Sequence, residues 1–208
     1  MPCREMQRIL NSAFFIFFLV HVTGFVLKFF RTPFHTIIMA TGVIGILVVG
    51  ILYFVVKDRN RAVISMATFG WGLYLIAVVK FLPQTYFLAT AILLTVPAIW
   101  FILKSKKLIH AHTIAAISIS VVSLILAIMP SDERYYLFNI KYNYHIDEDY
   151  WAWDKYSWFL NLEGKNDEAL RANESASSIV AKSDDKDMKE MIFLHQQKLK
   201  ADEWKTYR

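Results

Sequence analysis

Apolar residues dominate the chain from Ile9 to Met129, broken by short polar stretches, chiefly Lys57-Asp58-Arg59-Asn60-Arg61 and Lys104-Ser105-Lys106-Lys107. Between the breaks lie runs of about 20 mostly apolar residues, the length a helix needs to cross a hydrocarbon core of roughly 30 Å. Lipid offers no partner to a free backbone N–H or C=O, so runs that cross it must be helical. The pattern predicts five transmembrane helices over residues 9–30, 34–56, 62–82, 84–103 and 108–129. Pro83 and Pro130 close the third and fifth, and Arg31-Thr32-Pro33 turns the first into the second. Pro97 falls inside the fourth, where it removes a backbone donor and is expected to kink the helix. The expected fold is all-α: a transmembrane bundle over residues 1–130, then a small extracytoplasmic helical domain over residues 131–208.

Charge adds an orientation. Residues 1–130 hold 11 Lys/Arg against Glu5 and Asp58, whereas residues 131–208 hold 12 against 16 acids. The excess base therefore flanks membrane spans and is not a nucleic-acid footprint. With the N-terminus inside, Arg4, Arg8, Lys57, Arg59, Arg61, Lys104, Lys106 and Lys107 lie on the inner side. Only Lys28, Arg31 and Lys80 of the membrane block lie outside. Five crossings then place the tail on the outer face, the periplasmic side of a bacterial inner membrane. The apolar run behind Arg4 and Arg8 is about twice a signal peptide's h-region, which predicts a retained first span. Cys3 is the sole cysteine, so an internal disulfide is excluded and a surface thiol is expected.

Small residues predict close helix packing: Gly42, Gly45 and Gly50 in span two, and Ala116, Ser118, Ser120 and Ser123 in span five. A short internal repeat links Val26-Leu27-Lys28-Phe29-Phe30 to Val78-Val79-Lys80-Phe81-Leu82, 52 residues on. It suggests two hairpins of one orientation followed by a fifth helix.

The polar candidates within the spans are His21, Lys28 and Lys80. Both lysines sit near the outer ends of their spans, where a long stem carries the amine to the interface. No Asp or Glu lies inside any span, which argues against a proton-driven pump. His21 is mid-span, whereas His110 and His112 lie at the inner end of span five. Their depths differ by roughly 10–15 Å, so they do not pair on one haem, and a polar helix contact is the expectation for His21. No zinc spacing, nucleotide fingerprint or hydrolase motif occurs. No catalytic residue, metal or cofactor is expected, and Asp147-Glu148-Asp149 and Asp184-Asp185 are expected to cap helices or face solvent and not to bind calcium. Asn173-Glu174-Ser175 fits a glycosylation acceptor by chance only.

Beyond Pro130, Tyr135, Tyr136, Tyr142, Tyr144, Tyr150, Trp151 and Trp153 crowd a short polar segment. They suit an interfacial anchor, a small helical core, or a binding surface for a partner or glycan. From Tyr150 to Ala181 the spacing of Trp153, Tyr156, Leu160, Gly164, Ala169 and Ala176 resembles a tetratricopeptide repeat, with Trp158 beside them. Gly164 would end the first helix, while Asp167 and Glu168 suit the start of the second. Ser157 stands where that family has Gly, Asn173 where it has a large apolar residue, and no Pro closes the repeat. One repeat cannot bury its own face, so a following helix over about 187–207 is expected to cap it through Met188, Met191, Ile192, Leu194 or His195, and Leu199. The resemblance implies protein–protein binding through a helical groove.

Gly24-Phe25-Val26-Leu27-Lys28 and Pro33 resemble, over these few residues, the transmembrane hairpin of the L subunit of the gliding-motility and type 9 secretion motor. That family's acidic residue in the second helix is missing between Thr36 and Val56, so motor activity is not implied. The functional expectation is a membrane-anchored scaffold or assembly protein that binds another envelope protein, or a second copy, through the tail. The alternative is a transporter or channel component whose Lys28 and Lys80 contact an anionic solute.

Overall fold

The computed structural model describes residues 2–80, 84–104 and 110–204, with the side chains of residues 2–3, 79–80 and 110 outside that description. Nine α-helices and no strand occur among the described residues. Five are long and apolar enough to cross a membrane, as in a multi-pass membrane protein. They are α1 (Pro2–Phe29), α2 (His35–Val55), α3 (Arg59–Lys80), α4 (Gln84–Lys104) and α5 (His110–Ile128). The rest are α6 (Ser131–Asn139), α7 (Tyr150–Leu162), α8 (Asn166–Val180) and α9 (Lys186–Lys200). The closure expected at Pro83, and Ser105, Lys106 and Lys107 of the second polar break, lie outside the described residues, as does the side chain of Cys3.

The chain divides into two compact units, Met1–Lys28 with Thr32–Ile128, and Phe29–Arg31 with Met129–Arg208. The last residues of the first hydrophobic run thus belong with the C-terminal unit.

Within the first unit α3 packs against α2, α4 and α5. Its apolar window is 72% buried, against 11% for α4. A central helix takes polar groups only where they find partners, and α3 supplies them. Thr68 Oγ1 donates to Ile64 O at 2.9 Å and Trp71 Nε1 donates to Thr95 Oγ1 of α4 at 2.8 Å. The outward residues of α4, among them Leu93, Val96, Trp100 and Leu103, are apolar and suit hydrocarbon.

The α1–α2 hairpin is held by the glycines expected to allow close approach. A Cβ on Gly42 would lie 2.5 Å from the His21 nitrogen of the main chain, and one on Gly24 would lie 2.6 Å from that of Met39. Gly45 likewise seats the Phe17 ring. Dispersion between backbones this close replaces the hydrophobic effect, which lipid does not supply.

In the second unit α6 packs on α7, α7 on α8, and α8 on α9. Asp149 and Asp185 cap α7 and α9 by accepting from Ala152 N at 3.0 Å and Met188 N at 3.1 Å. The α7–α8 turn is a Schellman motif: Gly164 N bonds Asn161 O at 3.0 Å and Lys165 N bonds Leu160 O at 2.9 Å, with Gly164 at φ 74°. Space beside Gly164 is open, so its freedom to turn left-handed is what the position requires. We predict that Gly164→Ala costs about 1–2 kcal/mol, the left-handed penalty alone. Thermal unfolding of the full chain would read it, and Gly164→Asn should lose less.

The aromatic segment after Pro130 divides its side chains. Tyr135 and Phe138 of α6 are buried, with Tyr135 4.9 Å from the Phe159 ring, whereas Tyr142 and Tyr144 stay exposed. Phe29 stacks on Phe138 at 4.8 Å, and Arg31 pairs with Asp149. The start of α6 is tied to the α7–α8 turn through Ser131 Oγ to Glu163 at 2.5 Å and Lys165 Nζ to Asp132 at 2.6 Å. The Asp132 hydrogen bond raises the Lys165 pKa above the ordinary lysine value.

The final helix is shorter than expected. It ends at Lys200, and a turn with Asp202 at φ 57° returns Trp204 to the core at 1% exposed. Of the two residues left open for the cap, His195 is the buried one, while Leu194 is 45% exposed.

Candidate functional site

Heptad spacing on α7 puts Trp153, Tyr156 and Leu160 on one face, and the same spacing on α8 presents Glu168, Arg171, Ala172 and Ser175. These two faces line one groove of about 270 Å³. Leu160 and Ala172 form a closed floor, Trp153 and Tyr156 are half-buried walls, and Glu168 and Arg171 stand exposed at the rim. Trp153 is set in place by its indole N–H, which donates to Ile146 O at 3.2 Å. The Tyr156 ring lies 5.4 Å from that of Tyr136. Burial, then the nearby Asp132 and Glu168 charges, raise its phenol pKa, so Tyr156 stays a neutral donor at physiological pH. The groove thus has aromatic walls, a small apolar floor and two opposite charges at its rim.

Behind the groove, the other face of α7 carries polar residues into the core. Asp154, Asn173 and His195 are each 0% exposed. His195 Nδ1 lies 2.9 Å from Asp154 Oδ2, and Asn173 Nδ2 donates to Asp154 Oδ1 at 3.0 Å. The His195 ring stacks on Trp204 at 4.2 Å. This network accounts for the polar residue at position 173: an apolar side chain there would leave Asp154 without one of its donors. Ser157 is buried too and donates to Asp154 O at 2.6 Å.

Of the residues singled out in the tail, the structure brings Trp153, Tyr156 and Leu160 together in the groove. Ala169 and Ala176 are fully buried in the helix packing, and Gly164 makes the turn. Tyr150 and Trp151 line neither wall. The Tyr150 hydroxyl donates to the α9 cap Asp185 at 2.9 Å, which raises the Tyr150 pKa, and Trp151 is 49% exposed. Trp158 packs on the core behind, 4.9 Å from the Phe159 ring. Arg171, Ala172 and Ser175 completed the groove without being singled out, and Glu168 had been read only as suiting the helix start; their spacing of three and four, matched to that on α7, was the available signal.

In the first unit His21 is 0% exposed, with Nδ1 3.0 Å from Met39 O, the helix contact expected of it. Lys28 is 7% exposed. The Lys80 side chain lies outside the described residues. His112 is 2% exposed and joins Tyr53 Oη at 3.1 Å, with the Tyr53 hydroxyl donating to Asn11 at 2.7 Å. Among the described residues no group of three or more His, Cys, Asp or Glu gathers to hold a metal. No protein-family model, curated protein or solved structure matches the chain.

Proposed function

We propose that this is a membrane-anchored scaffold or assembly protein, whose C-terminal α7–α8 hairpin is a tetratricopeptide-like module that binds another envelope protein. The observation that carries this reading is the groove between Trp153, Tyr156 and Leu160 on one helix and Arg171 and Ala172 on the next. The Gly164 turn and the buried Ala169 and Ala176 further support the resemblance. Helices α6 and α9 flank the hairpin and bury the faces that further repeats would cover in a longer array. The charge asymmetry across the polar breaks supports a bacterial inner-membrane location with the module on the periplasmic side.

The test is gentle detergent extraction of the tagged chain at native expression, with mass spectrometry of what co-purifies. Truncation after Pro130 is expected to abolish recovery of a stoichiometric partner while leaving membrane insertion intact. Recovery of the same partner by the truncated chain would sink the reading.

A further inference from the structure

Two tyrosines of the second unit are held outward on a loop fixed by its own hydrogen bonds. Asn143 is 7% exposed; its Nδ2 donates to Asp149 Oδ2 at 3.0 Å, and its Oδ1 accepts from His145 N at 3.1 Å. With Asn143 turned inward, its neighbours Tyr142 and Tyr144 stay 42% and 78% exposed. Their rings gather on the residues that end the first hydrophobic run. Tyr142 lies 6.3 Å from the Phe29 ring and 6.4 Å from that of Phe30, and Tyr144 stacks on Phe30 at 6.3 Å. Arg31 pairs with Asp149 at the far end of the same loop.

The level of Phe30 follows from the helix before it. Arg8 is the last charge before the apolar run of α1, and Phe29 lies 21 residues beyond it. At 1.5 Å per residue this is about 31 Å, the thickness of a hydrocarbon core. Phe30 and Arg31 therefore fall where hydrocarbon gives way to headgroups, and the tyrosine rings in contact with Phe30 fall there too. Tyrosine suits that layer, because its ring is apolar and its hydroxyl bonds ester and phosphate oxygens. Net charge does not supply the contact. From Lys141 to Asp149 the loop holds one lysine against three acids, and the Lys141 amine lies 5.2 Å over the Tyr142 ring. A surface that docks by attracting anionic lipid would carry an excess of base.

We propose that the Tyr142–Tyr144 loop, together with Phe30, docks the second unit onto the phospholipid headgroup layer, its rings set among zwitterionic headgroups. The proposal rests on α1 being a membrane span and is independent of the α7–α8 groove. The test uses the full chain, one copy per phosphatidylcholine nanodisc, with phospholipid probes that carry a diazirine either on the headgroup or at the end of an acyl chain. Adducts are mapped and quantified by mass spectrometry. The headgroup probe is expected to label residues 140–149 at least about tenfold more than residues 186–200, whose Phe193 and Leu194 are also exposed. The chain-end probe is expected to spare that loop and to label Leu93 and Val96 on the outward face of α4. Replacing about a third of the lipid by an anionic one should change the loop's labelling less than about twofold. Loop labelling no stronger than that of residues 186–200 would overturn the proposal, as would labelling that requires anionic lipid. Labelling that appears only in discs holding two copies would assign the face to a second copy and overturn it too. Loss of the α4 signal would overturn the span reading, and the proposal with it.

Discussion

Asp154→Ala is expected to destabilise the C-terminal unit by about 2–4 kcal/mol, the cost of removing a buried acceptor shared by two buried polar side chains. The carboxylate receives His195 and Asn173 from two other helices, and all three side chains are 0% exposed. Without it, polar groups of His195 and Asn173 remain in an apolar interior with no access to water. Tryptophan emission of the full chain during heating reports the loss, because Trp151, Trp153, Trp158 and Trp204 all lie in this unit. A midpoint lowered by more than about 10 °C is expected for a unit of this size. Glu174→Ala, exposed on α8, should stay within about 0.5 kcal/mol of the parent and serves as the control. A shift for Asp154→Ala no larger than the control's would remove the network from the account of stability.

Arg171→Glu is expected to weaken partner recovery at least about tenfold while leaving the unfolding midpoint unchanged. Arg171 is exposed and contributes no core packing, so its loss acts on the rim of the groove alone. Reversing its sign places two acids side by side with Glu168, and like charges reject a partner shaped for the original pair. Trp153→Ala should cost more, about 30-fold or beyond, since a half-buried indole in a groove has the character of a binding hot spot. Trp153 also packs on the core, so its variant is judged together with its own melting curve. Competition pull-downs with the intact chain give both ratios. Unchanged recovery in both variants would exclude the groove as the contact surface.

The spans were legible because hydropathy over about 20 residues reports a transfer energy that no local detail overrides. The ends of α2 to α5 fall within a few residues of expectation, and α1 alone extends further, back through Arg4 and Arg8. Gly42 and Gly45 were readable as close-approach positions, since in lipid a small residue has few other uses. Gly164 was readable because a left-handed turn leaves few alternatives. The same motif ends α2 at Lys57 and α9 at Asp202, both at positive φ, where no glycine announced it.

What the sequence concealed were pairings across long separations. Asn173 looked like a departure from its resemblance because its partner Asp154 lies 19 residues away, and His195 lies 41 from that same carboxylate. Periodicity records that a position faces inward but not which polar group waits there. The choice between Leu194 and His195 therefore fell the opposite way from hydrophobicity. Half of the groove was hidden for the same reason: Glu168 and Arg171 look like ordinary solvent-facing residues until α7 is laid beside them.

The assignment of Phe29–Arg31 to the C-terminal unit has a consequence for biosynthesis. Those three residues leave the ribosome early, whereas Phe138 and Asp149, which receive Phe29 and Arg31, are made only after the fifth span. The unit is discontinuous in time as well as in sequence. It cannot close until all five long apolar helices and the tail behind them have been made.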